Sequence, residues 1–183
     1  MTHSTNHATS QNPNTTCIVR QTLQQLAQQG QPVCFYPSFG QDWSTLDQIP
    51  ERYTVVSDYT RYRELFETAQ RYGRETVHET DAGAVFRTPE GRITVYLQRE
   101  NAHAIDLLRE FGLRISSFVG VNDGCQEGGN YECVNDMWFL RDVLSIAVMP
   151  LHYYTNHFIH RVHCNEHTTL HGHMRWRDMD MDM

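Results

Sequence analysis

The sequence contains no lysine. All fifteen positive side chains are arginines, set against twenty-two carboxylates, for a formal net charge of −7 over 183 residues. A Walker A phosphate loop and a protein kinase each need a lysine on the phosphates. Schiff-base chemistry, pyridoxal phosphate attachment included, needs a lysine amine. All three are excluded. Anion binding must instead come from arginine forks, backbone N–H groups and glycine turns. Also missing is any run of about 18 apolar residues, so no membrane-spanning helix is expected. The first sixteen residues, MTHSTNHATSQNPNTT, hold neither an apolar stretch nor an arginine. That fits neither a secretory signal nor an organellar transit peptide, and a cytoplasmic protein is expected. The acidic balance argues against an extended nucleic-acid surface, although Arg61, Arg63, Arg71 and Arg74 fall in one segment.

What is present suits one domain, since domains usually run to roughly 100–200 residues. Residues 1–15 carry almost nothing to bury and read as a disordered tail, and 166–183 as a polar His/Asp/Met-rich tail. The α/β domain is expected over 16–165. The five cysteines are scattered, which favours buried small hydrophobes over a disulfide framework. Cys34, inside an apolar run, reads as core. Val19, Leu23 and Leu26 stand at helical spacing ahead of Gly30 and Pro32. VCFYP (33–37) and YTVVSDY (53–59) read as strands, with a turn or two of helix over 43–49 between them. A helix is predicted over 61–73 and another over 102–112. GAVFR and RITVYLQ flank a Pro89-Glu90-Gly91 turn and predict a β-hairpin over 83–98. RISSFVGV (114–121) reads as a strand, and a helix is expected from Met137 to Val148, stopped by Pro150. Strands alternating with helices imply a Rossmann-like α/β fold: a mixed sheet with helices on both faces.

Three segments carry candidate chemistry. In the first, an apolar strand runs into Pro37-Ser38-Phe39-Gly40 and the polar Gln41-Asp42, and the next strand ends in Ser57-Asp58. In doubly wound sheets the ligand lies outside the carboxyl ends of the strands, and an acidic residue about 20 positions on takes the ribose hydroxyls. Gly40 and Asp58 have close to that spacing. Tyr36, Ser38, Gly40, Asp42 and Asp58 are therefore candidate cofactor-binding residues. From VCFYPSFGQD to VVSDY, about 30 residues, the chain resembles the N-terminal half of class I S-adenosylmethionine-dependent methyltransferases. The resemblance implies a Rossmann-like layout, with S-adenosylmethionine or another nucleoside-type ligand held at the first turn. The chain departs from the family pattern in having a single glycine there, and Tyr36 or Pro37 where that family carries an acidic residue.

The second segment, NDGCQEGGNYECVND (122–136), is dense in glycine, amide and carboxylate. Gly128, Gly129 and Asn130 suit a backbone nest for a ligand. Asp123, Glu127 and Glu132 are candidates for acid/base catalysis or for holding a hard cation. The third is a histidine stripe: seven of the eleven histidines fall between 152 and 173. On a helix His157, His160, His163, His167 and His171, with Cys164 beside them, would lie within roughly a third of the circumference, and on a strand the odd-numbered set would share one face. Either arrangement permits zinc or another borderline metal.

Three functions follow as expectations. The first is a small nucleotide- or S-adenosylmethionine-binding protein, methyltransferase-like if an enzyme, with a small-molecule ligand bridging the first two segments. The second is a metal-binding protein or metal-dependent hydrolase built on the histidine cluster. The third is a non-catalytic interaction module.

Overall fold

A computed structural model of the chain describes residues 17–58, 64–80, 82–120, 137–154 and 168–171. In chain order they form α1 (Cys17–Gln28), β1 (Val33–Pro37), α2 (Trp43–Gln48), β2 (Tyr53–Asp58), α3 (Leu65–Arg71), β3 (Glu75–Thr80), β4 (Gly83–Arg87), β5 (Ile93–Gln98), α4 (Asn101–Glu110), β6 (Ile115–Val119), α5 (Met137–Ser145), β7 (Ala147–Tyr154) and β8 (Thr168–His171). The strands make one eight-stranded sheet in the order β3-β4-β5-β2-β1-β6-β7-β8. All pairings from β5 to β8 are parallel, while β4 runs antiparallel to both neighbours. The β5-β2-β1-β6-β7 core reproduces the doubly wound arrangement, in which the chain turns back across its first strand. Its switch point lies between β1 and β6.

Alternation along the strands explains the two layers of core. Val33, Phe35, Val55, Val95, Leu97 and Phe118 face one side, where α1 (Leu23, Leu26), α4 (Ile105, Leu108) and α5 (Phe139, Val143) cover them. Cys34, Tyr36, Val56, Tyr96 and Phe86 face the other, under α2 (Trp43, Leu46) and α3 (Leu65, Ala69). Strands buried on both faces read as continuous apolar runs, which is why 33–37 and 53–58 stand out in the sequence. The fold is thus α/β and Rossmann-like, with helices on both faces. The hairpin over 83–98 is also present. Gly83 is required at its start, because a Cβ there would lie 2.1 Å from the Tyr96 carbonyl oxygen of the neighbouring strand.

Three elements differ from expectation. The hairpin is part of a three-stranded meander, because β3 adds the polar ETVHET along the sheet edge. The helix expected to reach Val148 ends at Ser145, and β7 begins at Ala147 and runs through Pro150. Proline is accommodated because β7 bulges there: Ile115 pairs with Ala147 but Ser117 with His152. Residues 148–150 are therefore extra to the ladder, and proline's missing N–H costs no hydrogen bond. Finally, β8 lies beyond position 165 and pairs in parallel with β7. The sheet thus extends into the segment expected to be a tail. Among the described residues no helix is long and apolar enough to cross a membrane.

Candidate functional site

The chain leaves β1 at Pro37 and reaches α2 through only five residues, 38–42. So short a connection demands tight backbone. Ser38, Gly40 and Gln41 take positive φ values of 44°, 54° and 69°. Glycine adopts this conformation freely, but serine and glutamine do so at a cost of about 1–3 kcal/mol each, which surrounding structure must offset.

Two side chains from other elements tie the turn down, one at Ser38 and one at Gly40. Asp58, the last residue of β2 and 5% exposed, accepts the Gly40 N–H through Oδ2 at 2.7 Å. Asn101, the first residue of α4, accepts the Ser38 N–H (3.1 Å) and the hydroxyl of buried Ser57 (2.8 Å) on Oδ1. Its Nδ2 donates to Ser38 Oγ at 2.7 Å. The turn is further tied to β2 by the Phe39 N–H on the Ser57 carbonyl, 3.0 Å.

Asp42 closes the turn as the cap of α2. Its Oδ1 accepts the Thr45 N–H (3.1 Å) and the Ser44 hydroxyl (2.8 Å). Its Oδ2 accepts the Tyr36 hydroxyl (2.8 Å). All five described candidates, Tyr36, Ser38, Gly40, Asp42 and Asp58, therefore meet at the carboxyl edge of β1 and β2, beside the switch point. Asn101 completes the group, and sequence reasoning missed it.

β6 runs parallel to β1, so the chain leaves both strands at this same edge. Gly120, just past β6, donates its N–H to the Tyr154 carbonyl at 2.9 Å. The candidates Asp123, Glu127, Gly128, Gly129, Asn130 and Glu132 lie outside the described residues. So do the candidate metal ligands His157, His160, His163, Cys164 and His167. Among the described residues no group of three His, Cys, Asp or Glu side chains is placed to hold a metal ion.

A second polar group lies on the α2 face of the sheet. Glu51 Oε1 accepts the hydroxyls of Ser117, from β6, and Tyr154, from β7 (the latter at 3.2 Å). Burial and the neighbouring Glu51 push the Tyr154 hydroxyl well above its ordinary pKa. Cys34 has no solvent exposure, and its thiol is held well above its usual value by burial and then by Glu51. A thiol held in that form is not a nucleophile at neutral pH. Iodoacetamide at pH 8 is therefore expected to leave Cys34 unmodified in the native protein and to label it on denaturation, as peptide mapping by mass spectrometry would show. Labelling of native Cys34 at the rate of an exposed thiol would contradict this placement.

Comparison with protein-family models, with curated proteins and with solved structures finds no match to this chain.

Proposed function

We propose that this chain binds a nucleoside-type ligand at the carboxyl edge of the sheet, over the 38–42 turn, with the ribose hydroxyls on Asp58. The observation that carries the reading is the strained turn itself. Two non-glycine residues, Ser38 and Gln41, have positive φ in a turn tied down by Asn101 on Ser38 and by buried Asp58 on Gly40, and that turn stands where doubly wound sheets bind their ligands. A turn that merely joined β1 to α2 would not need that strain.

The same geometry bears on which nucleoside. In dinucleotide-binding folds a phosphate takes the amides at the start of the helix after the first strand. Here the Thr45 N–H and the Ser44 hydroxyl are on the Asp42 carboxylate and the Trp43 N–H is on the Gln41 carbonyl, so a phosphate would meet a like charge at the start of α2. The ligand favoured is one with no phosphate at this turn. S-adenosylmethionine, a sulfonium cation, meets that condition, and the protein would then be methyltransferase-like, with Asp123, Glu127 and Glu132 as candidate acid/base groups.

Titration calorimetry with adenosine, S-adenosylmethionine and its demethylated product is expected to give saturable heats. AMP and NAD should bind at least about 10-fold more weakly, a difference of about 1.4 kcal/mol. No heat with any of these compounds would overturn the reading.

A further inference from the structure

Asn101 stands first in α4, where an asparagine does little for the helix. It has low helix propensity, and the capping position before it is occupied by Glu100, which makes no side-chain cap bond. Its amide is directed instead to groups 63 and 44 residues back in the chain: Ser38 N–H and hydroxyl, and the Ser57 hydroxyl. Those three bonds, between 2.7 and 3.1 Å, join the ligand turn, the end of β2 and the start of α4 through one side chain.

We propose that Asn101 is a positioning residue for the ligand turn. It holds Ser38 in the left-handed backbone conformation, so that the turn is already formed when a ligand arrives. This rests on the reading of the carboxyl edge as a nucleoside site. The physical basis is preorganisation: a loop fixed in its bound form loses less conformational freedom on binding and so binds more tightly. Serine at φ 44° does not stay there unaided. The backbone bonds of the turn fix Phe39 and Asp42, Asp58 fixes Gly40, and the Ser38 N–H and hydroxyl are both bonded to the Asn101 amide. A purely structural role, satisfying the buried Ser57 hydroxyl, is the competing account. It predicts lower stability without any specific effect on the turn.

The test compares wild type with Asn101→Ala, Asn101→Asp and Ser38→Gly/Asn101→Ala. Amide hydrogen exchange of residues 38–41 and calorimetric titration with S-adenosylmethionine are the readouts, alongside thermal melting. Asn101→Ala is expected to speed exchange in the turn at least about 10-fold over that in β2 and to weaken binding about 10-fold. Aspartate retains the oxygens that accept from Ser38 and Ser57 and should recover most of both. Glycine at 38 reaches positive φ without strain, so removing Asn101 should cost less than about 3-fold in that background.

Unchanged exchange at 38–41 in Asn101→Ala would overturn the proposal. So would exchange that rises equally across β1 and β2, following the melting temperature alone. If wild type binds no nucleoside, the site reading falls and Asn101 loses its role in ligand binding. The exchange arm, which needs no ligand, separates that failure from failure of the turn-holding claim.

Discussion

Replacing Trp43 with alanine is expected to destabilise the protein by about 3–5 kcal/mol, the range for deleting a buried large aromatic. This is a large share of the roughly 5–15 kcal/mol that holds a domain together. Trp43 has no exposure and packs edge-on against Phe39 (4.8 Å between centroids) and Phe86 (5.1 Å). Arg74, a residue 4% exposed, places its guanidinium 4.8 Å from the ring centre and pairs with Asp47 at 2.7 Å. Truncation opens a cavity among three elements and removes the aromatic cover from a buried cation, so the loss should fall toward the upper end. Trp43→Phe keeps most of the packing. It also removes an indole N–H that has no hydrogen-bond partner, so its loss should stay below about 2 kcal/mol. Urea unfolding monitored by far-UV circular dichroism measures both. Equal losses for the two variants would show that the ring packing does not carry the second-face core. Because Phe39 sits inside the 38–42 turn proposed to bind a nucleoside and rests on Trp43, the alanine variant is expected to bind that ligand more weakly than its stability alone accounts for.

Elements buried on both faces were legible in the sequence for a simple reason. Their burial leaves β-branched and aromatic runs with no polar side to confuse the pattern, as in VCFYP and YTVVSD. β3 was not legible because it is an edge. Its ETVHET carries one apolar residue, Val77, and that one is 41% exposed. Charged side chains suit an edge strand by discouraging further pairing, but they erase the hydrophobic signal. β7 was obscured by Pro150, which reads as a stop until the bulge that accommodates it is visible. β8 was obscured by the histidine-rich composition around it.

In the site, the Gly40–Asp58 relation was readable because one β-α-β step sets its spacing, and the two residues do meet. Asn101 was not readable. Its partners lie 63 and 44 residues away, and no local pattern marks a side chain whose contacts are made by strand order.

Asp58→Ala is expected to weaken nucleoside binding at least about 100-fold, or about 2.8 kcal/mol at about 1.4 kcal/mol per factor of ten. Two losses combine. A carboxylate offers about four acceptor positions, and hydrogen bonds to a charged group contribute about 1.5–3 kcal/mol each. A ribose diol on Asp58 would therefore lose its strongest partners. The Gly40 N–H would also lose its acceptor, loosening a turn that is already strained. Asp58→Asn separates the two. Its amide oxygen can still accept the Gly40 N–H, so stability should hold within about 1 kcal/mol. The missing charge and the new N–H donors should still weaken binding about 10-fold or more. Ligands lacking the 2′- or 3′-hydroxyl add a second axis. Each deletion should cost wild type about 10-fold and cost Asp58→Ala almost nothing, because the partner is already gone. Were Asp58→Asn to bind as wild type does, with the deoxy ligands equally weakened in both, Asp58 would be only the brace of the turn. The ribose would then have to be held by some other group at this edge.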